Sequence, residues 1–132
     1  MARLTAAALS KAVPSKSHIR TGRAGEHYAA YLIEKAGLET SRVDGACDLH
    51  VTLKSGRVLR VEVKTSSQLT RHGAHAFHRG GSSADMFAFV SMIDAPLVRL
   101  LPSEDVKHQM ITLRGFNKEQ QQADIDWLLS LS

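Results

Sequence analysis

Three shortages in this 132-residue sequence exclude large classes of protein. A single cysteine, Cys47, excludes an internal disulfide framework and indicates a reducing compartment, so we expect an intracellular, cytoplasmic protein. No apolar run approaches the roughly 20 residues of a membrane-spanning helix, and we expect no membrane segment. Aromatic residues make up 5% of the chain, which leaves few rings to stack on unpaired bases and disfavours RNA as a substrate.

Acidic residues are also missing from the beginning of the chain, where the first of them is Glu26. The net charge is +4 and the isoelectric point is about 9.5. A basic segment without acids favours a polyanionic partner, of which nucleic acid is the commonest, although a solubilising tail has the same composition. We predict a basic N-terminal arm over residues 1–20 and one domain over residues 21–132. The early cations are Arg3, Lys11, Lys16, Arg20 and Arg23.

The spacing of apolar residues predicts an α/β domain. A helical pattern covers residues 21–36 and stops at Gly37, and a second helix begins near Asn117, with Gln120 in its first turn. Residues 66–84, rich in glycine, serine and histidine, are typical of a long loop with little regular structure. The predicted strands are residues 38–43, 48–53, 57–64, 86–93, 97–101 and 110–113.

The second and third predicted strands form a hairpin whose register follows from their apolar residues. A three-residue turn, Lys54-Ser55-Gly56, ends on the glycine that such turns favour. It pairs Leu49 with Val61 and Asp48 with Glu62. One face then collects the apolar residues Leu49, Val51, Leu53, Leu59, Val61 and Val63, and the other collects Asp48, His50, Arg60, Glu62 and Lys64.

Asp48, Glu62 and Lys64 together are typical of metal-dependent phosphate chemistry. Two carboxylates opposite one another destabilise a hairpin unless a cation lies between them. Hard oxygen ligands suit Mg²⁺ or Mn²⁺, which bind one or two carboxylates together with water and phosphate oxygens. Lys64 lies on the same face and can orient a water molecule or neutralise charge on a phosphate. The alternative for all three is a set of solvated charges on an exposed sheet face.

Glu26 lies on a helix face that is otherwise small and apolar, together with Ala29, Ala30 and Ile33. We therefore expect its carboxylate to point along a packed surface rather than straight into water. The alternative is that Glu26 only interacts with the helix dipole near the start of its helix.

These residues, in this order, resemble the PD-(D/E)XK nuclease superfamily. Glu26, Asp48 and the triplet Glu62-Val63-Lys64 look like its leading-helix glutamate and its signature motif. Residues 85–90 are similar to the strand that follows the signature in group I intron-type endonucleases and Holliday junction resolvase-like members. The resemblance implies a restriction-endonuclease-like α/β fold, with a mixed, mainly antiparallel sheet flanked by α-helices. Two departures are Cys47, where the motif often has proline, and the missing helical pattern in residues 66–84.

The resemblance implies an endonuclease that hydrolyses DNA phosphodiesters with Mg²⁺ or Mn²⁺, acting either at a defined site, as in intron homing, or on branched DNA. Asp48, Glu62 and the Val63 carbonyl would bind the metal, Lys64 would be the catalytic lysine, and Glu26 would be auxiliary. The resemblance is also compatible with a protein that a phage or mobile element encodes. Cutting two strands needs two sites, so we expect a homodimer or higher oligomer. The alternative is a non-catalytic DNA-binding module with the same fold.

Basic residues outside the carboxylate cluster are expected to contact the DNA backbone. His72, His75 and His78 recur at a spacing of three, but no second cysteine or carboxylate pair accompanies them. We therefore prefer phosphate contact over a zinc site for this segment. The expected DNA contacts are Lys16, Arg20, Arg23, Arg71, His72 and Arg79.

Overall fold

The first helix is longer than predicted. The computed structural model describes residues 14–43, 47–66, 69–70, 72–81 and 83–132. Helix α1 spans Pro14–Lys35 and therefore begins before the predicted start at residue 21. Proline suits the first turn of a helix because its φ is already helical. The N–H that it lacks would have no partner within the helix at that position. The predicted arm boundary at residue 20 falls inside α1, and residues 1–13 lie outside the described residues. No described helix is long and apolar enough to cross a membrane.

The strands form two sheets. They are β1 (Glu39–Arg42), β2 (Leu49–Thr52), β3 (Val58–Ser66), β4 (His75–His78), β5 (Met86–Ser91), β6 (Leu97–Pro102) and β7 (Met110–Leu113). The larger sheet has the order β1-β2-β3-β5-β6, and its pairs are antiparallel except for the parallel pair β3–β5. Helix α2 (Lys118–Ser130) follows, and its start is capped as predicted, because the Asn117 side chain accepts a hydrogen bond from Gln120 N at 2.8 Å. The predicted mixed, mainly antiparallel sheet flanked by helices is confirmed.

The β2–β3 hairpin has the predicted register. Leu49 lies opposite Val61, and both side chains are fully buried. The turn also closes as predicted, because Leu53 N donates to Arg57 O at 2.8 Å and Gly56 has a φ of 92°. This φ lies in the left-handed region that glycine adopts without strain. The apolar pattern of the two strands thus determines which side chains face away from the core.

The large sheet is covered on both faces, and β5 contributes to both. Met86, Ala88 and Val90 pack towards the helices, against α1 and α2 residues that include Ile33 and Leu128. Phe87 and Phe89 alternate with them and pack on the opposite face with residues of the small sheet. Since every residue of β5 is buried, the strand reads as a continuous apolar run.

The prediction that residues 66–84 have little regular structure is wrong in part, because β3 extends to Ser66 and β4 lies within the segment. β4 pairs antiparallel with β7, and Phe77 on its inner face packs on Phe89 with ring centroids 4.9 Å apart. We call these two strands the β4–β7 ribbon. A four-residue strand surrounded by glycine and serine gives little periodicity, and its partner lies more than 30 residues away. β4 lies in the connection between the parallel strands β3 and β5, where a helix is more usual.

Asp124 ties α2 to the outer strand of the sheet. An edge strand such as β6 exposes N–H groups that need acceptors. Asp124 Oδ2 accepts from Leu100 N and from Arg99 Nε, each at 2.9 Å. Gln121 Oε1 accepts from Val98 N at 2.8 Å. Side chains of α2 therefore satisfy the edge that no strand covers.

We expect Asp124→Ala to lower the free energy of unfolding by about 3 kcal/mol, because it removes the acceptor of a largely buried guanidinium and of a backbone N–H. Asp126→Ala is the matched control, since Asp126 is exposed in the same helix and should change stability by less than about 0.5 kcal/mol. Urea unfolding measures both values. Equal losses would contradict this account of how α2 is anchored.

His75 introduces a titratable group into the core between the large sheet and the ribbon. Its side chain is buried, and its Nε2 lies 2.8 Å from Ser91 Oγ. Its ring centroid is 4.2 Å from that of Phe116. Burial disfavours the charged imidazolium, so the pKa of His75 is lowered from its ordinary value of 6.5.

Protonation of the unfolded chain should therefore make stability depend on pH. Above pH 6.5 the imidazole is neutral in both states, and below it the unfolded chain binds a proton that the folded protein resists. Stability is lost as the pH falls from that value towards the folded-state pKa. His75→Gln keeps a hydrogen-bonding group and cannot be protonated, so its unfolding free energy should fall less between about pH 7.5 and pH 5.5. His78→Gln, on the outward face of the same strand, should keep the wild-type pH dependence, and an equally steep loss in His75→Gln would refute the assignment.

Candidate active site

Asp48 immediately precedes the first residue of β2, at the point where β3 continues beyond the paired residues. Its backbone N–H donates to Val61 O at 3.0 Å, and its Oδ2 accepts from Val63 N at 2.8 Å. The carboxylate thus takes the place of the next strand residue as acceptor for β3. The two bonds hold Asp48 against the residues on either side of Glu62. Because the N–H and C=O of one strand residue point to the same side, the Val63 carbonyl lies on the Asp48 side of β3.

Glu62 and Lys64 lie on the face of β3 opposite the buried Val61 and Val63, as the alternation predicts. Lys64 Nζ is 3.4 Å from Glu62 Oε1, and the two side chains are 28% and 15% exposed. The lysine also lies close to Gly80, where an added Cβ would be 3.4 Å from Nζ. The Lys64 ammonium group is therefore held between β3 and the segment that follows β4.

Glu26 approaches the same end of strands β2 and β3 from α1. Its carboxylate lies close to that of Asp48, and its Oε2 lies 3.8 Å from the Arg42 guanidinium. Burial raises the pKa of Glu26, the neighbouring charges of Asp48 and Glu62 raise it further, and Arg42 opposes the shift. The carboxylates of Glu26, Asp48 and Glu62 therefore lie near one another in this region.

Gly25 allows α1 to approach β3 closely. A Cβ at this position would overlap the Thr65 hydroxyl and would lie 3.0 Å from the Thr65 Cγ2. The Thr65 hydroxyl is itself buried, with no hydrogen-bond partner in the described part of the chain. The absence of a side chain at residue 25 therefore sets the distance at which Glu26 faces Asp48.

Cys47 is buried next to the cluster, with its Sγ 3.8 Å from Leu49 O. Burial raises the pKa of this thiol, and the charge of Glu62 adds to the shift. Because a nucleophilic cysteine needs a lowered pKa, Cys47 is better described as a small packing residue.

The donor set fits a hard divalent cation. Asp48, Glu62 and the Val63 carbonyl are oxygen groups, and Mg²⁺ is commonly held by one or two carboxylates while water and substrate complete its octahedron. In the described residues, no group of three or more His, Cys, Asp or Glu side chains is placed to hold one metal ion. Two carboxylates and a carbonyl would leave the other positions of a cation to water and a substrate phosphate.

The predicted DNA contacts are not gathered in one place. Arg20 and Arg23 are exposed on α1, and His72 is exposed in the turn before β4. Arg79 is half-buried, donates from Nε to Val106 O at 2.8 Å, and lies 5.1 Å from the Phe87 ring centroid. The side chain of Lys16 and the whole of Arg71 lie outside the described residues.

The three histidines of the predicted loop do not converge on one point. His75 faces the core and bonds to Ser91, whereas His78 is exposed on the other face of the same strand. A strand places residues three apart on opposite faces, so this pair does not form one side of a zinc site.

Two contributors to the site were missed from the sequence. Arg42 lies opposite Leu49 in the β1–β2 pair, which brings it beside Asp48 and within reach of Glu26. A register assigned to the first predicted strand would have indicated it. The contact between Gly25 and Thr65 had no sequence signal, because it depends on how a helix packs on a strand 40 residues later.

Comparison with solved structures finds a similarity of fold. The bacterial homing endonuclease I-Ssp6803I matches with a TM-score of 0.65 and 21% sequence identity, over 83% of this chain and 89% of that chain. The similarity concerns the fold, which is nuclease-like. No family model matches the sequence, and a search of curated proteins also finds no match.

Gly25→Ala should lower the free energy of unfolding by about 1–3 kcal/mol, because α1 must move away from Thr65. Gly22→Ala, one turn earlier, meets nothing within 4 Å and should raise stability by up to about 1 kcal/mol. Thermal unfolding of the two variants tests the close approach. If both changes stabilised the protein, α1 would not be held against β3 at Gly25.

Proposed function

We propose that this protein is a metal-dependent endonuclease that hydrolyses phosphodiester bonds in DNA. The observation that carries the proposal is the convergence of Glu26, Asp48 and Glu62 at one edge of the sheet, with Lys64 ion-paired to Glu62. Carboxylates that merely face water separate from one another, whereas these lie close together and are partly withdrawn from solvent. The fold similarity to a protein named a homing endonuclease supports the same class of activity.

Asp48, Glu62 and the Val63 carbonyl would hold Mg²⁺ or Mn²⁺. Burial and the neighbouring negative charges of Asp48 and Glu62 raise the pKa of Glu26, and a divalent cation would offset those charges. When bound, such an ion supplies Lewis-acid activation of water and of the phosphate. Glu26 would contribute an auxiliary carboxylate beside Asp48.

Lys64 would act directly on the reacting groups. Its ammonium carries three donors, and its contact with Glu62 fixes the direction of the side chain without using all of them. A remaining donor can hold the attacking water in line with the scissile bond or meet charge that develops on the phosphate oxygens.

DNA is the proposed partner, with Arg20, Arg23 and His72 exposed for contact with the phosphate backbone. Lys16, Arg71 and Arg79 stay predictions. We propose a homodimer, because a single site cuts one strand at a time, and a defined duplex site rather than a branched structure, by analogy with the homing neighbour. Cys47, free and buried, fits a cytoplasmic location.

Removing the carboxylate charges should abolish cleavage and spare binding. Asp48→Asn and Glu62→Gln keep the side-chain size but weaken the hold on a divalent cation, so cleavage in Mg²⁺ should fall by about a thousandfold or more. Lys64→Ala should also abolish cleavage while leaving metal binding largely in place, and Glu26→Gln should have a smaller effect. Gel assays with linear, nicked and four-way DNA, alongside calorimetric titration with Mn²⁺, measure both properties.

Two exposed substitutions serve as controls. Glu34→Gln removes a carboxylate from the same helix as Glu26, and Lys54→Ala removes a lysine from the hairpin turn; both should cut at the wild-type rate. If folded Asp48→Asn and Glu62→Gln also cut at that rate, the cluster is not the active site. If the wild type binds DNA but does not cut it in Mg²⁺ or Mn²⁺, the protein is instead a non-catalytic DNA-binding module.

A further inference from the structure

The β4–β7 ribbon has one face in the core and one face outside. His75 and Phe77 on β4 point inwards, as do Ile111 and Leu113 on β7, whereas the alternate residues are exposed. The register pairs His78 with Met110 and Ala76 with Thr112. Met110 is 62% exposed, which is unusual for a large apolar side chain. The outward face thus has Ala76, His78, Met110 and Thr112.

The chain segments that build the ribbon carry no negative charge. Residues 63–84 and residues 106–118 contain no aspartate or glutamate, although the whole chain has 13. Both segments are rich in cations, and additional histidines occur in each. This composition favours contact with a polyanion. The cations are Lys64, Arg71, Arg79, Lys107, Arg114 and Lys118.

The ribbon lies on the same side of the large sheet as the candidate active site. Glu62 and Lys64 are the β3 neighbours of Phe87 and Phe89, and the ribbon packs on those two rings through Phe77. The chain leaving β4 passes Lys64 at Gly80. A duplex bound over the carboxylates would therefore also meet the outward face of the ribbon.

We propose that the outward face of the β4–β7 ribbon enters the major groove of duplex DNA and contacts base edges. The proposal rests on DNA being the substrate. A major groove about 12 Å wide admits two strands about 5 Å apart, and strands of four residues span about four base pairs. His78 and Thr112 offer hydrogen-bonding groups, and Met110 offers an apolar contact for a thymine methyl. Exposed cations on either side of β7, Lys107 and Arg114, contact phosphates and position the ribbon.

Selection from a fully randomised duplex library, in Ca²⁺ buffer with the full-length chain, tests the proposal. The wild type should enrich a defined sequence. His78→Ala, Met110→Ala and Thr112→Val should each reduce the preference at one or two adjacent positions by about tenfold, because each removes one contact with a base edge. Affinity for unselected duplex and its dependence on salt should change little, since no phosphate contact is lost. Gln122→Ala, exposed on α2 across the sheet, should select the wild-type sequence.

The outcomes separate this proposal from the nuclease assignment. If the three variants, shown by thermal unfolding to be folded, select the wild-type sequence, the ribbon does not read bases, whatever the wild type cuts. A wild type that shows no sequence preference overturns the proposal as well. Preferences that shift in the ribbon variants support it, even if the wild type cleaves nothing in Mg²⁺, in which case the nuclease assignment alone fails.

Discussion

The hydrogen bond from Val63 N to the Asp48 carboxylate is the constraint on which the site depends. The pairing of β2 with β3 stops at Leu49 and Val61, whereas β3 continues. The backbone N–H of Val63 therefore has no strand partner on the β2 side. A half-buried N–H without an acceptor costs about 1–3 kcal/mol, so the backbone itself holds the Asp48 side chain in place. The carboxylate then lies beside Glu62 and within hydrogen-bonding reach of Glu26. Under the proposed function, the cation would bind beside this same gap in strand pairing.

Concentrating carboxylates at this gap has an electrostatic cost, and the fold meets it with cations from two directions. Arg42 approaches Glu26 from β1, and Lys64 approaches Glu62 along β3. Neither pair is deeply buried, and distances of 3.8 and 3.4 Å make them attractive without being tight. Burial is the largest cause of the raised pKa of Glu26, and the charges of Asp48 and Glu62 add to it against the opposing charge of Arg42. Under the proposed function, a divalent ion would offset the negative charge of these neighbouring carboxylates.

The parts of this structure that the sequence predicted are those with local causes. Alternation in β2 and β3 and the glycine in their turn determine the register, and the register alone places Glu62 and Lys64 away from the core. β4 was missed because its short alternation stabilises nothing until β7 pairs with it from a distant part of the chain. Arg42 and Gly25 were missed for the same reason, since each acts through a neighbour supplied by tertiary packing.

Strand alternation also separates the two tasks that the proposed function assigns to one side of the sheet. On the ribbon, inward residues such as Phe77 fix the layer to the sheet, and outward residues such as Met110 make no demand on the core. Exposed positions tolerate substitution within about 0.5 kcal/mol. The carboxylates have no such freedom, because the Asp48 carboxylate completes the backbone hydrogen bonding of β3. If the ribbon reads bases as proposed, substitutions on its outward face can change the DNA sequence that the protein recognises. The chemistry would stay fixed, because Asp48 is held in place beside β3.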